Sequence, residues 1–242
     1  MTTQSPGPDD DRPADEPRAS DLVGAAIGGA ARRAGIDPAA ESTTGGVVWK
    51  AMGGIRGVLE SVLPSLVFVV VYTLAPEPLI LSLGLSVGMA AVFTLVRLAQ
   101  KSPPAAALGG LIAAGAAAAL ALFTGQGRDN FVIGLVTNGV YGTAFLVSAL
   151  VGWSLIGLAA GFLMNEGTSW RRDARKRRVF FWLALAWAAL FFARLGVQLP
   201  LYLANETTLL GTLKLLMGLP LFAPLVAVTW LAVRALYPAP RA

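Results

Sequence analysis

Six stretches of the chain are apolar for about the roughly 20 residues that a helix needs to cross a hydrocarbon core of ~30 Å. They run from Gly57 to Ala75, Pro78 to Ala99, Pro104 to Phe123, Phe131 to Val151, Val179 to Ala204 and Thr207 to Leu236. Each predicts a transmembrane helix. A further apolar piece, Trp153 to Met164, is too short, because a helix of that length rises only about 18 Å. Charge arbitrates its placement. Between Asn165 and Arg178 lie Arg171, Arg172, Arg175, Lys176, Arg177 and Arg178, the densest basic stretch in the chain, and the positive-inside rule places it in the cytoplasm.

If Trp153 to Met164 crossed the bilayer, a cytoplasmic N-terminus would force that loop outside. A non-crossing segment instead keeps the Arg97/Lys101 turn, the six-cation loop and the Arg234/Arg241 tail on one side. The turns at Pro76–Pro78 and Asn205–Glu206 carry no cation and face outward, leaving Arg128, beside Asp129, as the outside base. The predicted architecture is an all-α membrane protein with six transmembrane helices and both termini cytoplasmic. A short re-entrant or interfacial helix at 153–164 separates the fourth span from the fifth, and a seven-span arrangement is the alternative.

Gly157 and Gly161 offer a small-xxx-small face for close packing on a neighbouring helix. The alternative is a helix lying among headgroups with Trp153, Leu155, Ile156 and Phe162 in lipid. Gly84 with Gly88, and Gly110 with Ala114, predict plain helix contacts. No internal repeat supports an inverted-repeat transporter.

Upstream, residues 1–20 are rich in Pro, Asp and Ser and lack the basic start and apolar core of a signal peptide, so they predict a disordered, uncleaved acidic tail. Residues 21–46 predict a short amphipathic helix from Ser20 or Asp21 to about Ala34, followed by a linker. Val47 to Leu59 sets Val48, Met52, Ile55 and Leu59 opposite Lys50 and Gly54. That stretch is either an interfacial helix or the frayed start of the first span. Residues 238–242 form a tail.

Composition agrees with a bilayer environment: 55% of residues are hydrophobic and 14% charged, against roughly 45–50% and 25% in soluble domains. From Gly54 onward there are fourteen Lys and Arg against six acids, whereas Met1 to Asp21 holds six acids and two bases. Without Cys or His, disulfides, thiolate chemistry, Cys/His zinc sites and histidine relays are excluded. No cofactor is expected.

Two cations then stand out, because an ionised side chain near the bilayer centre costs roughly 2.5–3.5 kcal/mol on insertion scales and usually faces a bundle interior. Counting from the Asn205–Glu206 turn, Arg194 lies roughly 16 Å deep and Lys214 roughly 12 Å deep, so a helical hairpin brings them together. Gln198 shares the Arg194 face and Pro200 loosens the backbone beside it, as Pro220 and Pro224 do in the last span. Lys214 is within reach of the interface by snorkelling; Arg194 is too deep for that.

In the first span Arg56, Glu60 and Pro64 share a stripe. Glu60 is read either as an interfacial partner of Arg56 or as an inward-facing cation or proton site. Asn138, Tyr141, Phe145 and Ser148 form one face of the fourth span. Asn138 and Tyr141 there are either interhelical hydrogen-bond partners or part of the lining around Arg194.

Orientation alone accounts for the basic loop, although Arg171, Arg172, Arg175, Lys176, Arg177 and Arg178 also suit anionic lipid headgroups. Trp170 is expected to anchor at the interface. Glu166 and Asp173 are the loop's only acids and read as loop and cap residues, so no enzyme is expected. The loop lacks a folded module for nucleic acid.

Met52-Gly53-Gly54, the run from Leu63-Pro64 to Val71-Tyr72, Asn138 with Tyr141, Glu166-Gly167-Thr168-Ser169-Trp170-Arg171-Arg172-Asp173 and Val197-Gln198-Leu199-Pro200-Leu201-Tyr202 resemble an actinobacterial family of multi-pass membrane proteins classed as a domain of unknown function. The resemblance covers about Val47 to Tyr237. A proline expected near Ser154 is absent. The resemblance implies an integral plasma-membrane protein without an assigned activity, whose genes neighbour potassium-uptake components, an association and not a mechanism.

The residues themselves favour a transporter- or channel-like protein that holds an anionic solute or lipid headgroup at Arg194, Lys214 and Gln198, with Glu60, Asn138 and Tyr141 in the same set. The alternative is a non-catalytic accessory subunit or scaffold bound to a membrane-protein partner or to its own copies.

Overall fold

The computed structural model describes Gly46, Trp49 and residues 54–100 and 105–237. The expected acidic tail, nearly all of the upstream amphipathic helix and linker, the stretch from Val47 to Gly53 apart from Trp49, Lys101 and the 238–242 tail lie outside these residues.

Among the described residues all regular structure is helical: α1 (Gly54–Leu74), α2 (Leu79–Ala99), α3 (Ala105–Thr124), a 3-10 turn (Gly127–Phe131), α4 (Val132–Leu150), α5 (Leu155–Leu163), a second 3-10 turn (Ser169–Arg172), α6 (Ala174–Leu203), α7 (Thr207–Leu216) and α8 (Leu219–Leu236). Five units are long and apolar enough to cross a membrane: α1, α2, the first 3-10 turn with α4, α6, and α7 with α8. Leu108–Thr124 of α3 is a shorter apolar helix.

Local chemistry sets these boundaries. The Ser154 hydroxyl accepts the Gly157 N–H at 3.3 Å and caps α5, while Asp173 accepts the Arg175 and Lys176 N–H groups at 2.8 and 3.2 Å and caps α6. At the far ends of these helices Asn165 and Asn205 adopt positive φ, 55° and 61°. The next N–H groups, of Glu166 and Glu206, reach back to Gly161 and Leu201 at 2.8 and 2.9 Å. Both are Schellman closures, with Asn where Gly is commoner.

One expectation needs correction. The last apolar run is two helices, broken at Met217–Gly218. A Cβ at Gly218 would lie 3.2 Å from the carbonyl oxygens of Lys214 and Leu215, so the turn favours a residue without one. Pro220 starts α8 where a missing N–H is harmless, and Pro224 sits within it. The break thus precedes both prolines.

α1 and α2 form an antiparallel hairpin, pinned where the Ser86 hydroxyl donates to the Pro64 carbonyl at 2.7 Å. α4 and α6 also run antiparallel: Phe145 stacks on Trp187 and Phe191, Gly142 faces Phe192, and Gly139 faces Leu195. The start of α5 touches the start of α6, with the Ser154 hydroxyl donating to the Phe180 carbonyl at 2.8 Å. Segment 151–173 therefore begins and ends at the same end of the α4/α6 pair. α7 packs against both α1 and α6 and joins the two hairpins.

Two apolar clusters close the ends of the bundle. Phe68, Leu83, Ala121, Phe131 and Leu210 pack at one end, and Trp170, Phe180, Leu183, Ala160 and Val233 at the other. The latter end carries most of the cations and is called the basic end below. Gly84 and Gly88 are exposed and nothing lies within 4 Å of a Cβ placed at either or at Gly110, so the expected helix contacts are not made within the described chain.

Candidate functional site

The α6–α7 hairpin carries Arg194 on one arm and Lys214 on the other, and the two arms pack together. Both are partly buried, and among the described residues neither is paired with an acid. The Arg194 Nε is fully enclosed and meets no acceptor. One turn along α6, Gln198 is 2% exposed and its amide nitrogen also lacks a partner. A buried polar group without a hydrogen bond costs about 1–3 kcal/mol, and these two unpartnered donors lie one turn apart on α6.

The Lys214 ammonium lies 5.0 Å from the centre of the Phe131 ring. That cation–π contact turns Lys214 inward, where the sequence alone left open an escape to the interface. Lys214 belongs to the last turn of α7, one turn before the break at Gly218. α7 has 10 residues and rises ~15 Å, about half the ~30 Å thickness of a hydrocarbon core.

Asn138 is 5% exposed, and the α4/α6 register sets it level with the stretch between Arg194 and Gln198. Tyr141 does not join it: it is 52% exposed and rests on Phe191. The expected face of α4 does meet α6, but through aromatic contacts: Phe145 stacks on Trp187 and Phe191, and Ser148 bonds the Phe145 carbonyl and the Leu155 N–H. Gly139 and Gly142 extend the contact on the adjoining flank, where Leu195 and Phe192 approach.

Glu60 stands apart from these residues. It is clamped between Arg56 and Arg97, each at 2.7 Å, with Arg56 also reaching Gln100. The pair with Arg56 was legible from i,i+4 spacing, whereas Arg97, on another helix, was not. This network joins the basic ends of α1 and α2 and leaves Glu60 engaged.

The basic loop divides into two sets. Arg171 lies 3.9 Å over the Trp153 ring, and the Lys176 ammonium bonds both Glu166 oxygens at 2.8 Å while sitting 4.0 Å over the Tyr237 ring. Tyr237 donates to Glu166 as well. Arg172, Arg175, Arg177 and Arg178 are exposed. Trp170 is not an interfacial anchor but is 0% exposed, edge-on to Phe180 at 5.3 Å. It fills the face that Gly157 and Gly161 leave bare: a Cβ at Gly157 would fall 2.7 Å from its ring, and one at Gly161 2.2 Å from the Gly167 carbonyl oxygen. The small-xxx-small face thus receives an indole and a loop backbone.

Burial raises the Glu166 pKa, but the hydrogen bonds from Lys176 and Tyr237, the Lys176 charge and a hydrogen bond from Ser169 outweigh it and hold the carboxyl below the ordinary 4.5. Burial and the Glu166 contact push Tyr237 above its ordinary 10.0. A lowered carboxyl stabilises the fold above its unfolded pKa and loses that contribution as pH falls through the folded value; a raised phenol contributes below its unfolded pKa. Protection of segment 165–173 against hydrogen exchange, taken relative to the intrinsic rate at each pH, is therefore expected to be greatest between about pH 5 and 9.5 and to fall below pH 4.5. Glu166→Gln should flatten that acid limb; an unchanged limb would contradict the assignment.

At the opposite end, Tyr202 donates to Asp129 at 2.7 Å, and Arg128 donates to the Tyr202 carbonyl at 3.1 Å with its guanidinium 5.1 Å from the ring centre. The sequence showed Arg128 beside Asp129 but not the tyrosine that ties both to α6.

A family model described as "Protein of unknown function (DUF3159)" matches residues 52–240. No curated protein and no solved structure matches.

Proposed function

The chain belongs to the DUF3159 family, whose function is unknown, and on that premise we propose that it is a plasma-membrane protein that binds and passes an anionic solute. In this reading six helices cross the bilayer, α3 among them, with α5 held at the basic end and both termini cytoplasmic. The observation that carries it is the pair of enclosed, unpartnered donors on α6, Arg194 Nε and the Gln198 amide, on the helix that packs against α7, whose last turn carries Lys214 beside the break between α7 and α8. Interrupted helices at membrane depth are tolerated where protein buries them or a cavity runs beside them, and their exposed ends serve ion sites. Two cations that no acid among the described residues pairs are relieved by an anion between them, which also satisfies the orphaned donors. Asn138 adds a buried amide at the same level. The chain acts without catalysis.

The test is flux into proteoliposomes, with chloride, inorganic phosphate and acetate as probes. Flux of at least one probe should fall by tenfold or more in Arg194→Ala and partly recover in Arg194→Lys. Wild-type flux no greater than in empty vesicles, or indifference to Arg194→Ala, would overturn the proposal.

A second reading is favoured by the bare Gly84/Gly88 and Gly110 faces, which leave room for another helix. In it the chain is an accessory subunit of a membrane complex, and Gly84→Leu would reduce recovery of that complex by cross-linked pull-down.

A further inference from the structure

A cavity of about 480 Å³ lies at the basic end between the last turn of α4 and the first two turns of α6. One part of its wall is formed by Arg177 and Arg178, the rest by apolar groups that include Leu150, Phe181, Trp182 and the buried Trp170. We propose that this cavity seats an anionic phospholipid, its phosphate between Arg177 and Arg178 and its glycerol and first methylenes against the aromatic wall.

Three observations point the same way. Arg177 and Arg178 are exposed, and among the described residues neither side chain has a hydrogen bond or ion pair, unlike Lys176, which Glu166 and Tyr237 hold. The cavity is amphipathic in the sense a lipid requires, with cations at one side and aliphatic and aromatic carbon at the other. Its apolar wall continues outward into Trp182 and Leu150, 61% and 70% exposed, along which acyl chains can run. The volume suits a headgroup and the start of its chains, not a whole lipid. A small soluble anion would satisfy the arginines and leave the aromatic wall in water. The proposal does not depend on anion passage through the Arg194 site and can stand or fall separately.

Native mass spectrometry of the detergent-purified chain tests it, titrating phosphatidylglycerol against phosphatidylcholine. One Lys or Arg contributes roughly fivefold at an anionic membrane surface. Arg177→Gln with Arg178→Gln should therefore weaken phosphatidylglycerol binding by ~25-fold on that scale. Arg172→Gln with Arg175→Gln, the same charge change outside the cavity, should alter it by no more than about twofold. Phosphatidylglycerol brominated near the glycerol end of its chains should quench tryptophan fluorescence, and Trp182→Phe should remove most of that quenching. Equal losses in the two double variants would reduce the effect to general surface charge and overturn the site. So would equal affinity for phosphatidylcholine, or full displacement by glycerol 1-phosphate, which would make it a site for a free anion.

Discussion

Trp170→Ala is expected to destabilise the protein by about 3–5 kcal/mol, the range for removing a large buried aromatic. Few residues combine complete burial with so many constraints: the indole is 0% exposed, meets Phe180 edge-on, and lies against Gly157 and Gly161 on a helix of only 9 residues. α5 is too short to be stable alone; its packing on Trp170 and Phe180 holds it in place. Thermal unfolding in detergent should report a drop of roughly 10 °C or more, with α5 and the loop to Asp173 the first to gain hydrogen exchange. Gly161→Ala should act in the same direction, because the Gly167 carbonyl oxygen would lie 2.2 Å from the new methyl group. That backbone is itself fixed by the Glu166 and Gly167 N–H bonds to Gly161, so little can yield. An unfolding temperature within 2 °C of wild type for both variants would contradict this packing.

Arg194→Met should do the opposite to stability while abolishing function. Replacing buried ionic groups by apolar side chains of similar volume is often neutral or stabilising by ~1–4 kcal/mol, and among the described residues the partly buried Arg194 is paired with no acid. The expected variant melts at the wild-type temperature or several degrees higher and shows no anion flux. A merely structural arginine predicts the reverse, a marked fall in melting temperature, and that outcome would remove Arg194 from the proposed site. Lys214→Met should behave alike, with a smaller gain because the Phe131 ring already shields the ammonium.

Hydropathy made the long helices legible to within a few residues, since the apolar runs are themselves the physical cause of the elements. It was blind to the start of α6, which begins at Ala174 and not Val179. Asp173 caps the basic residues into the helix, and capping is decided by one side chain, not by average polarity. It was equally blind to the break at Gly218, because backbone direction leaves no trace in hydropathy. That Arg194 and Lys214 sit on the two arms of one hairpin followed from counting residues on either side of the Asn205–Glu206 turn. Tyr141 touches α6 through Phe191 yet stays 52% exposed, because Gly139 and Gly142, having no side chain, let α6 approach on the neighbouring flank of α4, a contact that leaves no apolar signal in the sequence. Trp170 was misjudged for a related reason. Tryptophan beside cations reads as an interfacial anchor, and nothing local reveals that two glycines a turn apart on α5 leave a slot of its shape.

α6 has 30 residues, hence a length of ~45 Å against a hydrocarbon core of ~30 Å. Its surplus lies at the start, where Arg175, Lys176, Arg177 and Arg178 follow one another at about 100° per residue and so point to all sides of the helix. They form a collar and not a stripe. No rotation of α6 about its axis can bring the whole collar into contact with one surface, and no sinking of the helix is open to it without drawing at least one cation into hydrocarbon. Where α6 crosses a bilayer, the collar acts as a depth stop: it limits how far α6 can enter, and with it the level at which Arg194 stands.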